Sequence, residues 1–167
     1  MSTPSPADPA VSPDVVEIES TLTRIAYLTN RARQHERLMA MAGLSLDRAG
    51  VALLRQLAEH ESMRLGELAV RLSVEASHVT RQVQHLERSG FVGRVPDPDD
   101  RRAQRIQLTE AGRAAVRRLR VASCQGMQAA LADWSPEDLH QLATLFRRMV
   151  DDFVARGDEE VAAPPSD

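Results

Sequence analysis

Lysine is absent from this chain, so all 21 basic residues are arginine. GC-rich coding accounts for the bias, yet each arginine still offers a planar fork that binds guanine or phosphate bidentately. Cysteine occurs once, at Cys124, which excludes an intramolecular disulfide framework and suits a reducing compartment. No apolar run nears the roughly 20 residues of a membrane span. The stretch from Met1 to Pro13 lacks the basic and apolar regions of a signal peptide. The expectation is a soluble, cytoplasmic protein without a membrane partner. The histidines His35, His60, His78, His85 and His140 include no pair at metal-ligand spacing. Gly-rich phosphate loops, metalloprotease motifs and nucleophile elbows are also missing. The sequence therefore points away from an enzyme and implies neither cofactor nor metal.

The formal charge of −3 conceals an uneven distribution. From Arg64 to Arg120 there are 12 Arg against 7 acids, a balance of +5, while the remainder carries −8. A basic middle attracts phosphate locally, because charges beyond about 10 Å are screened at ordinary salt.

At 167 residues the chain has room for one domain or two closely associated lobes. Residues 1–13 and 157–167 lack periodicity and read as disordered tails. Ile18, Leu22, Ile25 and Leu28 predict one long helix from Asp14 to about Ala40, closed by Gly43. Ser45 or Asp47 caps the next, with Leu46, Leu53, Leu54 and Leu57 facing inward. In the helical run Met63 to Leu72, Leu65, Leu68, Ala69 and Leu72 share a face. A break at Ser73-Val74-Glu75 leads to a helix from Ala76 to Ser89, ended by Gly90. Phe91 to Val95 and Arg105 to Leu108 read as strands, and Thr109 then starts a helix reaching about Ala132. Ser135-Pro136-Glu137 opens a last helix to about residue 156. On it, Leu139, Leu142, Phe146, Met149 and Phe153 are spaced as a short coiled-coil seam. Such a seam serves a dimer or an ordinary docked helix; two long helices at opposite ends of the chain favour the dimer.

Two surfaces carry the functional expectation. On the helix from Ala76, Val79, Val83 and Leu86 form the inward stripe. Ser77, Arg81, Gln84 and Arg88 fall on the opposite side, flanked by His78, His85 and Thr80, and that face holds no carboxylate. An ordinary solvated face mixes both signs. A face of this kind fits the major groove, with Arg81 and Gln84 toward base edges, Ser77 and Thr80 toward phosphates, and His78 beside them. The second surface is Asp97-Pro98-Asp99-Asp100-Arg101-Arg102 between the two strands. It reads as a hairpin finger whose arginine enters a groove while a neighbouring carboxylate directs it.

The runs Leu68-Ala69-Val70-Arg71-Leu72, Ser77-His78-Val79-Thr80-Arg81, Leu86-Glu87-Arg88-Ser89-Gly90-Phe91-Val92 and Ile106-Gln107-Leu108-Thr109-Glu110-Ala111-Gly112 resemble the multiple antibiotic resistance regulator (MarR) family. The likeness spans roughly residues 14–156 and is most specific over 64–112. It implies a mainly α fold with a small β-wing: a winged helix-turn-helix module (43–112) and a helical dimerisation lobe (14–42 and 113–156). It further implies a homodimer on double-stranded DNA with a pseudo-palindromic operator, Arg102 entering the minor groove, and Asp100 orienting Arg102 by a charge-assisted hydrogen bond. Ser73, where Gly is common, and Glu75, in place of a small cap, depart from the family pattern.

The resemblance also implies a small-molecule effector between lobe and module, and hence a repressor released by that effector. Arg31, His35, Arg37 and Arg55 are candidates to face an anionic aromatic effector, the other reading being a solvated surface. Cys124 reads as a buried or half-buried inert thiol rather than a redox sensor. The rival functional reading is a winged-helix protein-interaction module without DNA binding. Retention of Arg81 and Arg102 argues against it.

Overall fold

Among the described residues, 11–100 and 102–162, the computed structural model contains seven helices and one antiparallel sheet of three strands. In chain order these are α1 (Pro13–Thr29), α2 (Ala32–Ala42), α3 (Arg48–Ala58), β1 (Met63–Arg64), α4 (Leu65–Leu72), α5 (Ala76–Arg88), β2 (Val92–Pro96), β3 (Gln104–Leu108), α6 (Glu110–Ala130) and α7 (Pro136–Ala162). The class is mainly α with a small sheet, as the pattern predicts. Chain packing divides the molecule into two compact units, one ending at Cys124 and the other beginning at Gln125.

The long first helix expected from the apolar stripe is two helices. At the junction Thr29 Oγ1 donates back to the Ile25 and Ala26 carbonyls, at 3.0 and 3.1 Å. Asn30 Oδ1 accepts from Arg48 at 3.3 Å, and Arg31 is extended. Polar side chains that bond locally or to another segment compete with the helical ladder. Gly43, at φ 60°, closes α2 with Leu44 N–H donating to the Met39 carbonyl. Asp47, not Ser45, caps α3, accepting from Gly50 N–H at 2.7 Å.

Leu53, Leu54 and Leu57 of α3 meet Leu68 of α4, Val83 and Leu86 of α5, Ile106 of β3 and Leu119 of α6 in one core, each almost fully buried. Strand β1 escaped the sequence reading because two residues show no alternation. It exists because Met63 and Arg64 pair with Ile106 and Arg105 of β3. The turn between α4 and α5 places Ser73 at φ 51°, the single non-glycine residue with positive φ among those described. This is the position where the family resemblance leads one to expect Gly.

Thr109 joins wing to helix. Its hydroxyl donates to the Gly90 carbonyl at 2.6 Å and accepts from Gly112 N–H at 3.0 Å. The last helix, α7, continues to Ala162, past residue 156 where the pattern placed its end. The first expected tail, 1–13, is shorter too, since Ser12 caps α1 and Pro13 begins it; residues 1–10 and 163–167 lie outside the described residues. No helix among the described residues is long and apolar enough to cross a membrane.

Candidate nucleic-acid interface

Helix α5 separates its two faces cleanly. Val79, Val83 and Leu86 are 2%, 0% and 0% exposed. Ser77, His78, Arg81, Gln84, His85 and Arg88 are all exposed, and Thr80 is half-buried with its hydroxyl donating to the Ala76 carbonyl at 2.9 Å. Arg81 makes no hydrogen bond or ion pair among the described residues. The structure thus brings together the five α5 residues singled out from sequence, Ser77, His78, Thr80, Arg81 and Gln84, on one helix in the first unit.

Two further α5 side chains hold the helix in place, and neither was singled out. Gln82 donates from Nε2 to Asp47 Oδ1 at 2.7 Å, tying α5 to the start of α3. Glu87 accepts two bonds from Arg94 of β2, from Nε at 2.9 Å and from Nη2 at 3.2 Å. The position of Glu87 near the inner edge of the helical wheel was the available signal. Its partner, seven residues on, was not visible from the helix alone.

Strands β2 and β3 pair from Val92–Leu108 to Pro96–Gln104, and their turn carries the acidic and arginine-rich tip. Asp100 and Arg102 are both exposed there. The expected bond between them needs correction. Asp100 Oδ1 accepts from the Arg102 backbone N–H at 2.9 Å rather than from its guanidinium. In a tight turn the carboxylate reaches the amide two residues on more easily than a long side chain folds back. Asp100 therefore shapes the tip's backbone and leaves the Arg102 side chain to solvent. Arg101 lies outside the described residues.

The base of the wing holds a residue that sequence reasoning passed over, Asp97, which is only 2% exposed. Its Oδ2 accepts from Arg64 Nε at 2.6 Å and lies 3.6 Å from Arg105 Nη1. Its Oδ1 accepts from the backbone N–H groups of Asp99 and Asp100, at 2.9 and 3.2 Å. Arg105 also donates to the Ser62 carbonyl at 2.9 Å and stands 3.5 Å from Glu67, while its Nε is buried without a partner. The first Asp of an Asp-Pro-Asp-Asp turn is the usual acceptor for amides two and three residues on, and that signal was present in the sequence.

The hydrogen bond from Arg64, with the turn's amides and the Arg64 charge, holds the Asp97 carboxyl well below the usual carboxylate range. The same bond raises the Arg64 guanidinium above its ordinary value. A depressed carboxyl contributes stability above its unfolded value of 3.8 and loses it as pH falls toward the folded one. Arg64, Arg105 and the nearby Glu67 are the charged groups around it. Unfolding followed from pH 6 downward should show stability falling below about pH 4, with a shallower limb in Asp97→Asn. An identical acid limb in the variant would remove Asp97 from this account.

Over residues 46–103, which contain α3, the helix-turn-helix and most of the wing, the chain matches the MarR family model. That stretch carries the MarR family module. The HTH-type transcriptional regulator YxaD of Bacillus subtilis is 28% identical over 110 residues, covering 66% of this chain and 77% of that protein. The HTH-type transcriptional repressor MdtR of Bacillus subtilis is 32% identical over 79 residues, 47% of this chain and 51% of that protein. The solved structure of a MarR family protein from Bacillus stearothermophilus superposes with a TM-score of 0.74 at 22% identity, over 84% of this chain and 96% of that one, and shows the shared fold. The relatives that it resembles are named as HTH-type transcriptional regulators, and the shared module is the MarR winged helix.

Of the candidate effector residues, Arg37 is exposed, and Arg31, His35 and Arg55 have separate local partners. Arg31 lies over the Tyr27 ring at 5.3 Å. The His35 ring bonds the Leu46 carbonyl at 2.8 Å, and Arg55 donates to Ser123 Oγ at 3.3 Å. An open hollow in the second unit is lined by Asp133, Trp134, Asp138, Gln141, Leu142 and Leu145, none of them a candidate. Cys124 is exposed, which corrects the expectation of a buried or half-buried thiol. The buried stripe of α6 runs through Ala115, Leu119 and Ala122, and two residues beyond Ala122 is about 200° further round the helix.

Proposed function

We propose that this chain is a homodimeric, sequence-specific MarR-family repressor whose release from DNA is controlled by a small molecule. The observation that carries the DNA reading is the solvent face of α5, six exposed polar or basic side chains without a carboxylate. In this reading α5 enters the major groove, Arg81 and Gln84 meet base edges, and Ser77, His78 and Thr80 meet phosphate and its surroundings. Two such helices in a dimer fit successive major grooves of a pseudo-palindrome, about 10 bp apart. Arg102 enters the flanking minor groove, where narrow A·T-rich sequence strengthens the negative potential, and Asp100 shapes the turn beneath it.

Exposed apolar side chains support the dimer. Helix α1 has no buried residue and presents Ile18, Ile25 and Leu28, while α7 presents Leu142, Phe146 and Phe153. Apolar surface on these helices calls for a partner; in this reading a second copy of the chain covers it, and residues 14–42 and 113–156 serve as the dimerisation lobe. The repressor role is supported by the likeness to MdtR, a transcriptional repressor. Among the effector candidates Arg31 and Arg55 are exposed, whereas the His35 ring is already engaged.

Titration of duplex DNA at several salt concentrations tests the reading. Affinity should fall steeply with salt as phosphate contacts release counterions. Arg102→Ala should weaken binding to all sequences nearly evenly and reduce the salt slope by about 1 per chain. A flat salt response would favour the protein-interaction module instead.

A further inference from the structure

We propose that two ion pairs on opposite faces of the sheet, Glu87–Arg94 and Asp97–Arg64, are positioning groups that set where the wing stands relative to the reading helix. This rests on the DNA-binding reading above and extends it to carboxylates whose charge is wrong for touching phosphate.

The register separates the two pairs. Successive residues of a strand point to opposite faces, and directly paired residues share one. Arg94 pairs with Ile106, which is fully buried against the helices, so Arg94 lies on the helix-facing side and grips Glu87 of α5 there. Arg105 is one residue from Ile106 and points the other way, and Arg64 pairs with it across β1. Asp97 meets both arginines on that outer side.

Glu87–Arg94 therefore links the wing to α5, and Asp97–Arg64 links it to the β1 residue that caps α4. A planar fork on a carboxylate fixes direction as well as distance, and Glu87–Arg94 has both bonds of such a fork. Asp97 anchors the strand end to Arg64 at the start of α4 and, through its other oxygen, orders the amides of Asp99 and Asp100. Asp100 in turn holds the backbone of Arg102. An unbroken series of bonds thus runs from α4 to the wing tip, while Glu87 ties the same hairpin to α5. Side chains that contact a ligand need such a supporting layer to hold them in register.

Charge alone and positioning predict opposite signs. Neutralising a carboxylate beside a polyanion should tighten binding if the carboxylate merely repels phosphate. Glu87→Gln and Asp97→Asn are expected to bind the duplex that the wild-type chain selects from a random pool about fivefold or more weaker. Arg94→Lys keeps the charge, loses the fork and should weaken binding likewise. In an Arg102→Ala background the further loss from each should shrink below about twofold, since the pairs act through the wing tip. Cooperative thermal melts identify the folded variants, and the partly exposed Glu87 and Arg94 decide the matter should Asp97→Asn fail to fold. Glu87→Gln binding as tightly as wild type or tighter, or losses that add fully to Arg102→Ala, would overturn the proposal. If the wild-type chain selects no duplex, the DNA reading falls with it; if wild type binds and the amide variants bind equally well, only the positioning role falls.

Discussion

Arg81→Ala should weaken binding to the selected duplex by about 1–3 kcal/mol, roughly 5–150-fold, and flatten discrimination at one position of each half-site. The side chain is exposed, and no described residue holds it by hydrogen bond or ion pair. Alanine is at least as good a helix former as arginine, so the melting temperature should scarcely move. Lost affinity with unchanged stability identifies a contact rather than a structural support. Measuring the variant against duplexes with single base-pair changes separates this role from that of Arg102, whose loss should be felt almost equally on every sequence. Affinity and base preference both equal to wild type would remove Arg81 from the interface.

Gly112→Ala should destabilise the first unit by about 3 kcal/mol or more. Within a helix this exchange ordinarily stabilises by about 1 kcal/mol, so the expected sign is reversed. A β-carbon at Gly112 would overlap the Phe91 carbonyl oxygen and stand 3.0 Å from its carbonyl carbon and 3.2 Å from a Leu108 methyl. The obstacle is backbone, which no rotamer change relieves. The same Phe91 carbonyl accepts from Thr109 N–H at 3.0 Å, so displacing it opens the joint between wing and α6. Urea unfolding of variant and wild type measures the difference; equal midpoints would show that the joint yields without cost.

Much of the candidate interface was legible because helix periodicity is local. Val79, Val83 and Leu86 mark the inward stripe of α5, and the faces opposite follow from geometry alone. The turn at Ser73 and the stop at Gly90 were equally plain, being set by residues within one turn of the break. The hairpin was visible as two short runs around a polar tip. What escaped was contact between segments. Asp97 and Arg64 are 33 positions apart, and a solvated acidic turn looks the same in sequence as one with its first carboxylate buried. The family resemblance implies a bond from Asp100 to the Arg102 guanidinium, and sequence does not distinguish a side-chain donor from the backbone one that the fold uses. Cys124 lies about 200° round α6 from the buried stripe at Ala122, and closeness along the chain does not display that separation.

The primary structure on its own determined the basic centre of the chain, the carboxylate-free face of α5 and the arginine-tipped finger, because each depends only on residue type and short-range spacing. Folding decided which carboxylates face water and which are engaged by arginines, where the first helix breaks, and that Met63 and Arg64 form a third strand. Those outcomes depend on β-sheet register and on distant segments meeting, and a hydrogen bond acquires its partner only when both ends have been brought within about 3 Å.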